Sequence, residues 1–221
     1  ANYYERGKFI DKFTIPFVGM HNLSNTIAAI AACRVNGIPF SEIKGSLNSI
    51  EKPARRFEFK GKWKDREIID DYAHHPTEIN ATIAMAKTII ESKRNNDITA
   101  KERLLVVFQP HRYTRNHTFM KEFSIALSKS DVLILAPTYA AGEAVIKDAT
   151  SASMAKFILS FKPDLELYIG KTLDEVVNLI KQKSNENDLI LGMGAGDINN
   201  LWQLLNKAEE VESCPSSKTA A

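Results

Sequence analysis

From Leu23 to Val35 apolar residues recur at helical spacing, Gly37 and Pro39 follow as stop signals, and a short second helix is predicted from about Ser41 to Asn48. Beyond Pro53 the pattern changes. Two short strand-like runs, RRFEFKG (55–61) and REIIDDYA (66–73), lead into a regular alternation of helical and β periods. The predicted elements are helix 77–92, strand 104–109, helix 118–129, strand 131–136, helix 151–161, strand 165–169, helix 172–184, strand 188–193 and helix 197–207. Strands alternating with helices predict an α/β fold, a mostly parallel sheet with helices on both faces. NNDITAKER (95–103) reads as a polar loop and 209–221 as a disordered tail. No internal repeat or low-complexity segment interrupts the pattern.

Composition narrows the class without changing this outline. With 221 residues, 44% hydrophobic and 25% charged, the chain has enough apolar material for a real core and falls between one and two ordinary domains. A formal charge of +2 with scattered lysines gives no basis for a nucleic-acid or membrane-surface partner. Cys33 and Cys214 have neither metal-ligand spacing nor a disulfide pattern, and a reducing cytoplasm fits them. No apolar run is long enough to span a bilayer. The opening ANYYERGKFIDKFTIPF has no apolar leader and reads as sequence entered partway through.

In open α/β sheets ligands gather at the carboxyl ends of the strands, so the residues following each strand carry the candidate chemistry. They are DDYAHHPTE after the strand ending near Ile69, PHRYTRNH after LLVVFQ, PTYAAGE after DVLILA, and GAGD after DLILGM. Arg112 and Arg115 stand three apart at a loop-to-helix entry, so both guanidinium forks can face one carboxylate or phosphate. A pair of solvated surface arginines has the same spacing. His111 and His117 have capping or packing roles open to them. GMGAGD (192–197) lacks the last glycine of a dinucleotide fingerprint, with Asp197 in its place, and is expected to be a tight strand-to-helix turn capped by Asp197. Asp70, Asp71, His74 and His75 are all competent metal ligands, but neighbours on a strand point to opposite faces and Pro76 to Glu78 reads as a helix start. No protein-held metal is therefore expected. A metal-dependent hydrolase using Asp71, His74 and His75, and a non-catalytic module binding a nucleotide or acidic metabolite, stay open as alternatives.

GMHNLSNTIAAIAA, RRFE, DDYAHHPTEI, FQPHRYTR and LILGMGAGDI, in this order, resemble the Mur ligase family, and within it the members that join L-alanine to UDP-N-acetylmuramate. The resemblance runs from about residue 19 to 205. DDYAHHPTEI and FQPHRYTR are specific as a pair, whereas the HN-x-x-N element is shared more widely among these ligases. The resemblance implies that 1–52 is the end of a central ATP-binding domain, present as a short helical remnant, and that 53–208 is the Rossmann-like carboxyl-terminal domain. No G-x-x-x-x-G-K-[ST] loop and no UDP-sugar domain occurs in the chain. The catalytic lysine and the ligands of Mg2+ are accordingly expected outside it, and the chain is expected to be inactive alone.

The resemblance also implies roles at matching positions. Asn22 and Asn25, with His21 beside them, resemble the adenine-binding group. Helix capping is the alternative for the asparagines, and it suits Asn22 better than Asn25. Arg56 resembles the arginine that reaches the nucleotide, and Asp71 the acid that accepts from the ribose hydroxyls, which leaves Asp70 structural. Tyr72 and His74, with Arg112 and Arg115, resemble the wall that holds the amino acid and the muramoyl carboxylate. The implied reaction is ATP-dependent amide formation through an acyl phosphate, with ATP and Mg2+ as cofactors and UDP-N-acetylmuramate and L-alanine as partners.

Overall fold

A computed structural model describes residues 1–16, 19–51, 53–96 and 103–213; the side chains of His21, Asn96 and 208–213 lie outside the description. The rest of the predicted polar loop, 97–102, and the predicted tail from 214, with Cys214, also lie outside it. Contacts divide the chain into two units, Ala1–Ala54 and Arg55–Ala221.

The first unit opens with a hairpin that the periodicity left unassigned: β1 (Asn2–Glu5) pairs antiparallel with β2 (Lys8–Lys12). Arg6 and Gly7, at φ 48° and 81°, form the two-residue turn, whose left-handed backbone matches the twist of the strands. Helix α1 (Met20–Val35) begins three residues before the predicted start, and α2 spans Phe40–Leu47. The predicted stop after Val35 is a Schellman turn. Gly37 stands at φ 84°, its amide donates to the Arg34 carbonyl (3.0 Å), and the Ile38 amide donates to the Cys33 carbonyl (3.1 Å). A small core of Tyr3, Phe13, Ile30, Phe40, Ile43 and Leu47 holds the unit, with Tyr3 and Phe40 stacked at 4.5 Å. Glu5 and Arg34 pair at 2.5 Å, and the guanidinium beside it holds the Glu5 carboxyl down at about 2.

The second unit is a six-stranded sheet in the order β3-β4-β8-β5-β6-β7. The strands are β3 (Glu58–Trp63), β4 (Arg66–Asp71), β5 (Leu104–Phe108), β6 (Val132–Leu135), β7 (Glu166–Ile169) and β8 (Leu189–Met193). Only the β3–β4 pair is antiparallel. Every residue of β5, β6 and β8 is buried, as continuous apolar runs require when helices cover both faces.

Alternation along β5 divides the core in two. Leu104, Val106 and Phe108 face α3 (Pro76–Asn96), α5 (Met120–Leu127) and α6 (Ser151–Phe161), while Leu105 and Val107 face α7 (Leu173–Lys183) and α8 (Leu201–Ser213). Gly192 in β8 has a packing reason, since a Cβ there would stand 2.3 Å from Cζ2 of Trp202 on α8.

Two predicted elements differ from the structure. The helix expected over 118–129 is two helices, α4 (Tyr113–Thr118) and α5, broken at Phe119, whose backbone leaves the helical region at φ −114° and ψ 24°. Its ring turns inward onto Phe123 (6.5 Å) and His75 (5.0 Å), so burial of the ring accompanies the interruption. The helix expected over 197–207 is a 3-10 turn, Asp197–Asn200, followed by α8, which continues through Ser213.

Candidate functional site

Because β4, β8, β5 and β6 are adjacent and parallel, their four exit loops meet at one edge of the sheet. The β5 and β6 exits are zipped together. Arg112 donates its amide to the Tyr139 carbonyl (2.9 Å), Tyr139 donates to the Pro110 carbonyl (2.8 Å), and His111 and Tyr139 form a short parallel bridge. Their rings stack at 5.4 Å with 9° between planes. Arg112 sits at φ 69°, a conformation that a non-glycine residue keeps only where its surroundings impose it. Glu143, from the β6 exit, holds the next turn by accepting from the Thr114 amide (3.0 Å) and hydroxyl (2.7 Å). Those two bonds keep its carboxyl below the usual range.

The β4 exit contributes Tyr72, His74 and His75. His74 Nδ1 lies 2.9 Å from the Tyr72 carbonyl, which accepts only, so in this contact Nδ1 carries the proton. Glu78 at the start of α3 accepts from the amides of His74 (3.1 Å) and His75 (3.2 Å), with Pro76 as the first helical residue. Although burial works to raise the Glu78 carboxyl, those amides and the neighbouring His74 and Arg56 hold it below its ordinary value. The Tyr72 ring meets His74 edge-on at 5.2 Å, and His74 meets His111 at 6.1 Å, so the β4 and β5 exits share one aromatic wall.

Arg115 lies on α4, with Nη1 3.5 Å from His111 Nδ1. A guanidinium can only donate, so this contact requires a neutral imidazole. Burial first, then the charges of Arg115, His74 and Arg112 against the weaker pull of Glu143, lower the His111 pKa from its ordinary 6.5. His111 therefore stays uncharged at neutral pH, and its protonation as pH falls costs folded-state stability. NMR titration of the imidazole is expected to show a midpoint below 6.5 that rises in Arg115→Met. A midpoint unmoved by that substitution would exclude the guanidinium as a cause.

Of the nine residues singled out in the sequence, Tyr72, His74, Arg112 and Arg115 come together at this edge. Arg56 joins them, with Cζ 5.8 Å over the Tyr72 ring and Nη1 3.7 Å from Glu78. Asp71, expected to accept from a ribose, is instead 5% exposed with both carboxylate oxygens engaged: Oδ2 takes the Phe57 amide and Oδ1 the Ala73 amide, each at 2.7 Å. Burial pushes its pKa up, and these two bonds oppose the rise. Asp70 is fully buried and paired with Arg55 (3.0 Å).

Asn22 and Asn25 lie one turn apart on the first turns of α1 in the first unit, and His21 belongs to the same helix, its side chain outside the described residues. The cap of α1 is Gly19, so capping does not account for Asn22, and Asn25 is exposed.

One reading changes. Asp197 does not cap its helix; the turn's cap is Gly196 without a side-chain bond, and Asp197 Oδ1 accepts from Gln109 Nε2 (2.7 Å). Asp71, the carboxylate of the hydrolase alternative, is buried and accepts a backbone amide on each oxygen.

Sequence reasoning missed Gln109, Tyr139, Glu143 and Arg55. Gln109 clamps the β8 exit from both ends of its amide, donating to Asp197 and accepting from the Ile198 amide (3.1 Å). PTYAAGE marked the right loop, but neither Tyr139 nor Glu143 has a spacing signal of its own.

Tyrosine and histidine on the β4 exit, histidine and arginine on the β5 exit and tyrosine on the β6 exit, gathered beside the glycine turn after β8, define an α/β domain with a polar strand-exit edge. The chain belongs to the Mur ligase family: the profile described as "Mur ligase, glutamate ligase domain" matches residues 55–196. It is 45% identical over 220 residues to a UDP-N-acetylmuramate–L-alanine ligase of Prochlorococcus marinus strain MIT 9303, covering 100% of this chain and 45% of that relative. The ligase of strain NATL1A is 51% identical over 199 residues, which is 90% of this chain and 40% of the relative. The chain thus spans about half the length of the curated relatives it matches.

Among solved structures, the UDP-N-acetylmuramate-alanine ligase of Thermotoga maritima superposes with a TM-score of 0.66 at 26% identity, over 94% of this chain and 42% of its own. A murein peptide ligase of Psychrobacter arcticus gives a TM-score of 0.68 over 89% of this chain and 38% of its own, and at 20% identity it shares the fold alone. Among the described residues no helix is long and apolar enough to cross a membrane.

Proposed function

We propose that this chain is the carboxyl-terminal part of an ATP-dependent ligase of peptidoglycan precursor synthesis, joining L-alanine to UDP-N-acetylmuramate. The observation that carries the reading is the wall of Tyr72, His74, Arg112 and Arg115 at one sheet edge, in a chain 45% identical to ligases of that name. In this reading residues 1–52 are the end of the ATP-binding domain and 53–208 the carboxyl-terminal domain, whose last helix runs on to Ser213. His21, Asn22 and Asn25 serve the adenine, and Arg56 the phosphate or ribose end of ATP. A cytoplasmic setting suits both substrates.

The two arginines hold the alanine carboxylate, which leaves the amine directed at the acyl carbon of the muramoyl substrate. ATP has first phosphorylated the muramoyl carboxylate, releasing ADP; attack of the amine on this acyl phosphate forms the new C–N bond, the tetrahedral intermediate breaks its C–O bond to expel phosphate, and the proton lost by the amine leaves with that phosphate. Tyr72 and His74 border the amine. Orientation and exclusion of water are the contribution of this wall. Magnesium would supply charge stabilisation to the phosphates when bound. Its ligands, like the phosphate-loop lysine, are proposed to be supplied from outside this chain.

The test is phosphate release from ATP by a ligase carrying this chain, with and without each substrate. Release that requires both UDP-N-acetylmuramate and L-alanine is expected, and none from the 221-residue chain alone. Product formed by the chain alone would refute the division of labour. ATP binding by the ligase with no turnover of either substrate would favour the nucleotide-binding alternative.

A further inference from the structure

Every second residue of the arginine loop is bonded to the chain that follows β6. Arg112 donates its amide to the Tyr139 carbonyl (2.9 Å), and Thr114 gives its amide (3.0 Å) and its hydroxyl (2.7 Å) to the two carboxylate oxygens of Glu143. Asn116, fully buried, donates its side-chain amide to the Ala149 carbonyl (3.0 Å). The middle contact fills a gap in the helix. Thr114 lies in the first turn of α4, where an amide has no acceptor within the helix, and Arg112 at the cap supplies no side-chain bond. Glu143 takes that place from 29 residues along the chain. It is presented by a turn in which its own amide donates to the Ala140 carbonyl (3.0 Å), while Ala141 and Gly142 stand at φ 49° and 83°. An alanine keeps left-handed backbone only where its surroundings impose it. Each side of this clasp therefore carries a strained residue, Ala141 on the β6 exit and Arg112, at φ 69°, on the β5 exit.

We propose that Glu143 is a positioning residue for the amino-acid substrate: by binding both donors of Thr114 it fixes the first turn of α4 between Arg112 and Arg115 and so sets the aim of the two guanidinium groups. The proposal rests on the reading of those arginines as the grip on the L-alanine carboxylate. Thr114 stands between them in the chain, so a shift of its turn moves both. The two hydrogen bonds, and not the negative charge, carry the effect. A carboxamide at this position can make both, with its oxygen accepting from the Thr114 amide and its nitrogen donating to the Thr114 hydroxyl oxygen.

Amide hydrogen exchange on this chain tests the clasp. The Thr114 amide is expected to be protected in the wild type and to exchange about tenfold faster in Glu143→Ala, with the amides of β5 and β6 unchanged and most of the protection kept in Glu143→Gln. An unprotected Thr114 amide in the wild type, or equal rates in wild type and Glu143→Ala, overturns the proposal. Kinetics of a ligase carrying this chain test the consequence. Glu143→Ala is expected to lower kcat/KM for L-alanine about tenfold while KM for ATP stays within about twofold, and Glu143→Gln to recover most of the loss. Thr114→Val, which removes only the hydroxyl donor, is expected to cost about threefold alone and nothing further beside Glu143→Ala. Equal losses in the alanine and glutamine variants would show that the charge itself acts, as it would in a direct contact with the substrate ammonium, and overturn the proposal. Multiplicative losses with Thr114→Val, or a loss shared by KM for ATP, would overturn it too. A wild-type ligase indifferent to L-alanine refutes the reading of the arginines instead, while the exchange rates still decide whether Glu143 holds Thr114. Should Glu143→Ala fail to fold, the wild-type exchange at Thr114 and the comparison of Thr114→Val with Glu143→Gln decide.

Discussion

Arg55→Met is expected to destabilise the second unit by about 3–5 kcal/mol in chemical denaturation, while Arg56→Met, one residue along, costs less than about 0.5 kcal/mol. The contrast follows from what each guanidinium meets. Asp70 is fully buried in β4, and Arg55 Nε stands 3.0 Å from its Oδ2 with only 16% of the arginine side chain exposed. Oδ1 of Asp70 has no hydrogen-bond partner among the described residues, so the pair is already under-satisfied. Removing Arg55 strands a buried carboxylate and also the Gly194 carbonyl, which Nη2 binds at 2.6 Å. A buried charge left alone costs far more than a pair contributes over an apolar replacement. The double variant Asp70→Asn/Arg55→Met should therefore recover part of the loss. Arg56, with 46% of its side chain exposed and a 3.7 Å contact to Glu78, has no such debt to leave behind. A cost below about 1 kcal/mol for Arg55→Met would show that Asp70 finds water or protonates on demand.

The two arginines also mark the limit of what a linear reading resolves. RRFE singled out Arg56 by resemblance, but only the fold shows that Arg55 turns in to Asp70 while Arg56 turns out to Tyr72. Elements with strong periodicity were legible: the helix predicted over 151–161 is α6, Ser151–Phe161, and the apolar runs became β5, β6 and β8. The β1–β2 hairpin was missed although Arg6-Gly7 lies between β-prone tyrosines and Phe9, because a left-handed arginine is not a standard turn signal. The break at Phe119 was invisible for the opposite reason. PHRYTRNH reads as a loop-to-helix entry with the helix starting only at 118, yet residues 113–118 already form a helix, and the interruption accompanies packing of one ring against His75 and Phe123. The strand exits marked where the candidate residues gather, since parallel order alone brings them together. Which exit residues bind the backbone and which remain for a ligand depends on bonds between distant residues. Asp71 to Phe57, Gln109 to Asp197 and Glu143 to Thr114 are the cases here.

The largest functional effect is expected from the arginine loop. In a ligase carrying this chain, Arg112→Met and Arg115→Met should each lower kcat/KM for L-alanine by about a hundredfold, about 2.7 kcal/mol at 1.4 kcal/mol per decade. Methionine keeps the aliphatic stem, so the loss reports the guanidinium rather than packing. At Arg112 it also leaves the strain at φ 69° as it was, because neither residue is glycine. If both forks hold one carboxylate, the double variant should lose much less than the product of the two, since the second substitution acts on a grip already broken. Lysine at either position should restore little, because a point charge cannot reproduce the paired fork. Arg115→Met carries a second signature: His111, 3.5 Å from Nη1, is relieved of a neighbouring positive charge and should accept a proton at higher pH. The alanine-dependent rate of that variant should accordingly lose its plateau from the acid side earlier than the wild type as pH falls, provided the neutral imidazole is the working form. Multiplicative penalties for alanine, or equal penalties in KM for ATP and for alanine, would separate the two arginines into unrelated contacts and remove the shared carboxylate from the site.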